Sequence, residues 1–218
     1  MPQAEANPRP FSFEPVSTAL LVIDMQHDFL TPGGWADAMG LDLSLLAPTV
    51  PVILSLVDSF RAAGAPVIFT REGHRPDLAD CPPNKRGRYA PRVGDKGPLG
   101  RYMITGEPGN DIIPTLQPAD GELVIDKPGA GSFYATLLDH ILRLRKITHL
   151  VITGVTTDVC VHTTIREAND RGYECLLIED ATASYTPEFT DAIIAMMRVG
   201  VAGCSCTAAA LISAMAEL

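Results

Sequence analysis

No apolar run in this chain approaches the roughly 18–20 residues that cross a bilayer. No Cys-x-x-Cys pair occurs, and Cys204-Ser205-Cys206 lacks the second half that a structural zinc site needs. A Gly-x-Ser-x-Gly elbow and a phosphate loop ending in Gly-Lys-Ser/Thr are both absent. Positive charge is in short supply: 17 Lys and Arg stand against 26 Asp and Glu, for a net charge of −9. That balance offers no footprint for nucleic acid or an anionic membrane, so neither is an expected partner. The five cysteines are odd in number, which argues against a disulfide framework and for a reducing, cytoplasmic setting. The start of the chain has neither a basic stretch nor an apolar core, so it reads as no signal peptide. Residues 1–17 are expected to be a loose polar arm.

What is present is an ordinary globular balance, 46% hydrophobic and 20% charged, over 218 residues. The length favours one large domain, placed at 18–218. Short apolar runs at Thr18–Asp24, Pro66–Thr70, Glu122–Asp126, His149–Thr153 and Glu174–Ile178 read as strands, with a weak sixth at 201–203. Between them lie helical patterns at Pro48–Ala63, Thr136–Lys146, Asp158–Arg171, Pro187–Val199 and 207–217, several closed by glycine. This alternation predicts an α/β fold, a three-layer α/β/α sandwich on a mostly parallel, six-stranded, Rossmann-like sheet. Residues 72–110 break the rhythm and read as a lid-like loop.

Ligands of open parallel sheets bind beyond the carboxyl ends of the strands. The predicted strands deliver there Asp24; then Arg71, Glu72 and His74; then Asp126 and Lys127; then Thr156, Asp158 and Cys160. A cysteine in the first turn of a helix, with an ammonium nearby, is placed to carry a lowered pKa. A carboxylate within reach could take the thiol proton and return it to a leaving amine. Asp24, Lys127 and Cys160 therefore form a candidate trio for nucleophilic acyl transfer. A packed cysteine, a turn aspartate and a solvated lysine are the structural alternative.

The segments LLVIDMQHDF (20–29), IDKPGAGSF (125–133) and ITGVTTDVCVHTTIREANDRGYECLLIEDA (152–181) resemble the isochorismatase-like cysteine hydrolases. With REGHRPDLAD (71–80) and GEPGNDIIP (106–114), the likeness is nearest to the biuret hydrolase branch. The resemblance implies a cofactor-free, metal-free amidohydrolase, assembled as a tetramer. It places the nucleophile on Cys160, the acid/base on Asp24 and the ammonium on Lys127. It also places an oxyanion hole on the N–H groups of Thr156 and Cys160, after a cis peptide at Val155–Thr156. The implied reaction attacks a small linear ureide of the triuret or biuret type with water as second substrate and release of ammonia. Phe29, Arg71, Glu72 and Tyr185 are the candidate substrate-binding residues, Arg71 with a surface ion pair as its alternative. The Gln-Gly-Gly segment of biuret hydrolases is replaced here by Met197-Arg198-Val199-Gly200-Val201. That departure leaves open other amides of the family: ureidoacrylate, N-carbamoyl amino acids or nicotinamide.

Nicotinamidases hold zinc with Asp-x-His and a further histidine. Here the strand end reads Glu72-Gly73-His74 without that second histidine, so no metal is expected. His162 reads as a surface or packing residue. Two readings of another class remain: a small-ligand-binding module built on Gly129-Ala130-Gly131, and a thiol redox protein using Cys204 and Cys206.

Overall fold

A computed structural model describes residues 2–217. The chain opens with an antiparallel hairpin, β1 (Gln3–Ala4) and β2 (Phe11–Ser12). The arm is therefore not loose. Ala4, Phe11 and Phe13 are buried, Asn7 bridges to Ser205, and Arg9 pairs with Glu174 at 2.8 Å. The alternation Phe11-x-Phe13 is a strand pattern, and burying two aromatic rings outweighs the polar composition around them.

Next come β3 (Thr18–Ile23), the short helices α1 (His27–Leu30) and α2 (Trp35–Ala38), α3 (Thr49–Ala62) and β4 (Val67–Glu72). The 72–110 segment carries α4 (Pro83–Arg86) and a small hairpin, β5 (Lys96–Gly97) and β6 (Gly100–Arg101). It does not hang free. Cys81, Val93, Tyr102, Met103 and Ile104 are buried, and the Asp28 carboxylate accepts from the Met103 N–H at 2.8 Å.

The second half holds β7 (Leu123–Lys127), α5 (Leu138–Leu144), β8 (His149–Val155), a π-helical turn at Thr157–Val161, and α6 (His162–Asp170). β9 (Glu174–Ala183), α7 (Pro187–Arg198), β10 (Cys204–Cys206) and α8 (Ala208–Met215) complete it. The last strand lies at 204–206 rather than 201–203, because Ala202 and Gly203 turn through positive φ before it.

The sheet order is β10-β9-β8-β3-β4-β7, and every pair is parallel. Period-two alternation with both faces covered explains the unbroken apolar runs. Leu20 and Val22 of β3 face one core with Phe60 of α3 and Leu211 of α8, whereas Leu21 and Ile23 face another with Leu142, Ile165 and Ile193. The stretch Leu43–Ala62 has the length and apolarity of a membrane span. Its Ile53, Leu56, Val57 and Phe60 are buried against the sheet instead. The chain leaves β3 for β4 on one side, and β8 lies on its other side. The carboxyl ends of β3 and β8 are therefore a switch point of the kind that hosts ligands.

Candidate active site

Three adjacent strand ends and one turn supply the site. Asp24 follows β3 at φ 53°, a left-handed conformation that aspartate tolerates better than most residues. Its Oδ1 accepts from the Thr70 hydroxyl at 2.6 Å, and its Oδ2 lies 2.7 Å from Lys127 Nζ. Lys127 ends β7 fully buried, donating to the carbonyls of Gly129 at 3.0 Å and Ala130 at 2.9 Å. Glu72 ends β4 with Oε2 3.3 Å from Lys127 Nζ, and it accepts the Cys160 S–H at 3.1 Å. Gln26 and Asn110 brace Glu72 from behind. Gln26 Oε1 accepts its N–H at 2.7 Å, and the Gln26 and Asn110 amides donate to its carbonyl at 3.0 and 2.9 Å.

The cysteine is not the depressed thiol that the sequence suggests. Burial pushes its pKa up; Lys127 pulls it down; Glu72 and Asp24 push it up again, and the sum lies well above the ordinary range. One ammonium does not outweigh burial beside two carboxylates. Those carboxylates differ. Burial raises Asp24, Lys127 opposes this, and the net is upward. Burial also works to raise Glu72, but Lys127 and Lys85 together bring it down to about 2.

Of the other residues singled out from the sequence, Phe29 is buried and packs edge-on against Trp35 at 6.3 Å. Tyr185 donates its hydroxyl to the Phe29 carbonyl at 2.7 Å, and its pKa is raised by burial and by Cys160. Arg71 is not in the site. Alternation along β4 turns it away from Thr70 and Glu72, into ion pairs with Asp126 at 2.8 Å and Asp111 at 3.3 Å. Glu72 sits deeper than a substrate-recognition residue would, in direct contact with the sulfur. Thr156 lies between β8 and the π-helical turn, after a cis Val155–Thr156 peptide. His162 accepts from Arg166 at 3.0 Å on α6. Cys204 and Cys206 are buried free thiols in a strand.

Thr70, Gln26, Asn110 and Lys85 escaped sequence reasoning. Gln26 lies inside the LLVIDMQHDF block and Asn110 inside GEPGNDIIP, whereas Thr70 and Lys85 lie outside the segments that carry the resemblance.

Asp24, Glu72 and Cys160 present donor atoms within 4.8 Å of one another. The cation among them is the Lys127 ammonium, so this donor set does not fit a metal ion. His74 is buried with Nδ1 3.4 Å from Asp80. Among the described residues it joins no cluster of three ligands.

The isochorismatase domain family model matches residues 18–209. The chain belongs to the isochorismatase family. It is 36% identical over 190 residues to a ureidoacrylate amidohydrolase of Yersinia enterocolitica, covering 84% of this chain and 83% of the relative. A cysteine hydrolase structure from Pseudomonas syringae pv. phaseolicola superposes with a TM-score of 0.83 at 25% identity, covering 100% and 98% of the two chains. N-carbamoylsarcosine amidase of Thermoplasma acidophilum gives 0.69 at 28% identity, over 88% and 96%. The family member described here is an amidohydrolase acting on carbon–nitrogen bonds outside peptides. The ureidoacrylate relative supports that alternative better than the biuret or triuret reading.

Proposed function

We propose that the protein hydrolyses a small ureide of the ureidoacrylate type, with Cys160 as nucleophile, Asp24 as acid/base and Lys127 as the fixed cation. The observation that carries this reading is the convergence of the three side chains, from β3, β7 and the turn after β8, in one buried cluster. The thiol proton has two carboxylates to go to. Asp24, raised by burial, is the better base; Glu72, held at about 2, stays anionic and fixes the S–H direction.

In the first half-reaction the Cys160 sulfur bonds to the ureido carbonyl carbon as its proton passes to Asp24. The oxyanion is held by the Thr156 and Cys160 N–H groups. The C–N bond then breaks, and Asp24 returns the proton to the departing nitrogen. In the second, water gives a proton to Asp24 and its oxygen bonds to the acyl carbon. The C–S bond breaks, and the sulfur recovers its proton. Tyr185, which senses the Cys160 charge, and Phe29, whose carbonyl accepts the Tyr185 hydroxyl, are the residues assigned to the pocket wall.

Biuret and triuret, which the sequence motifs favour, are the other arm of the test. Ammonia release is measured with ureidoacrylate, N-carbamoylsarcosine, biuret, triuret and nicotinamide. The expected result is the highest kcat/KM on ureidoacrylate and, with Cys160→Ser, a loss of about 10³-fold or more. A Cys160→Ser enzyme at wild-type rate ends the mechanism. Activity confined to biuret and triuret replaces the substrate but keeps the chemistry.

A further inference from the structure

Lys85 lies on α4, inside the segment whose sequence has no periodicity, yet its ammonium enters the cluster. Nζ donates to Glu72 Oε1 at 2.7 Å and to the Pro128 carbonyl at 2.7 Å. The other oxygen of that carboxylate takes the Cys160 S–H at 3.1 Å and faces Lys127 at 3.3 Å. One carboxylate thus links the nucleophile to a cation delivered by the 72–110 segment. The Lys85 side chain is 21% exposed, whereas those of Asp24 and Lys127 are at 0%.

We propose that Lys85 is a positioning residue for the hydrolysis: it anchors the Glu72 carboxylate against the thiol and supplies the second positive charge that eases ionisation of the sulfur. The proposal rests on reading Cys160 as the nucleophile. The charge count is the argument. With the thiol proton on Asp24, Glu72 and the Cys160 sulfur still carry two negative charges. Lys127 alone neutralises one of them, and in a dry site the two anions repel strongly. Lys85 brings the second cation. Because it arrives on α4 rather than on the sheet, the ionisation of the sulfur depends on where the 72–110 segment sits. The groups facing the sulfur are Asp24 from β3, Glu72 from β4, Lys127 from β7 and Tyr185 after β9. His74 and Cys81 also sense the Lys85 charge: burial lowers the pKa of the first and raises that of the second, and Lys85 adds to the one shift and opposes the other. The same charge helps to hold Glu72 at about 2.

The test is the pH dependence of Cys160 alkylation by iodoacetamide, followed by peptide mass spectrometry. It uses the full chain with Lys85→Met, Lys85→Gln and Lys85→Arg, each checked by thermal melting. Losing a cation makes the thiolate harder to form, so the midpoint moves up. Met and Gln should raise it by about one pH unit, roughly a tenfold slower reaction at a fixed pH below it. Arg should stay within a few tenths of wild type. Met and Gln midpoints equal to wild type overturn the proposal, even if the plateau rate changes, because the plateau reports access and not charge. An Arg variant displaced as far as Met also overturns it. The nucleophile reading fails separately: wild-type protein alkylated at Cys160 would still release ammonia.

Discussion

A buried carboxylate touching two ammonium groups and a thiol is an acid-sensitive joint. Glu72 has its folded pKa brought down to about 2, against burial, by Lys127 and Lys85. The sign follows from linkage. A depressed carboxyl contributes stability that is fully present above its unfolded value near 4.3 and is lost as pH falls through about 2. Roughly 3 kcal/mol of acid-dependent stability is expected from this one group, by the free energy of a pKa difference of that size. Urea unfolding of wild type between pH 5 and 2 should show that loss, and Glu72→Gln should flatten it. Parallel curves for the two proteins would mean that Glu72 is not the group responsible. The sequence exposed only half of this residue's character. A glutamate at a strand end was visible; that it faces a sulfur was not, because Lys85 and Asn110 reach it from a stretch without periodicity.

Elements were legible where burial on both faces left aliphatic runs. Thr18–Ile23, Val67–Glu72, Leu123–Lys127 and His149–Val155 fall within a few residues of the sequence reading. Legibility failed where a long-range contact decides. The hairpin of β1 and β2 borrows its stability from the sheet and α8, and nothing in MPQAEANPRP announces that partner. Phe11 is 1% exposed, stacks 6.4 Å from Phe13 and meets the His149 ring edge-on at 5.5 Å. Phe11→Ala should therefore cost about 3–5 kcal/mol, the range for truncating a buried phenylalanine. Chemical denaturation reads the loss directly. A change below about 1 kcal/mol would mean that the arm is only loosely applied, as its composition suggests. Gly154 shows the same long-range dependence within the sheet: at φ 110°, a Cβ there would meet the Ile23 carbonyl at 2.1 Å. Only glycine permits β8 to pass so close to β3 beside the site.

At the scale of the whole molecule, net charge and exposed apolar surface pull in opposite directions. A charge of −9 makes copies repel at long range. Val159 is nevertheless 46% exposed on the turn that carries Cys160, and Phe189 is 52% exposed on α7, which packs against that turn. Apolar side chains standing outward from the element that holds the nucleophile suit contact with a second copy of the chain. We expect a closed homo-oligomer, a tetramer by family resemblance, with this surface inside it. Salt sets the sign of a further check. The Debye length is about 8 Å at physiological ionic strength and shorter above it, so added salt screens the repulsion and leaves the apolar contact intact. Sedimentation velocity at micromolar concentration should show a species larger than one chain, strengthened by salt and weakened by Phe189→Asp. If the wild-type chain sediments as a monomer across that range, Val159 and Phe189 are ordinary surface residues and the site is complete in a single copy.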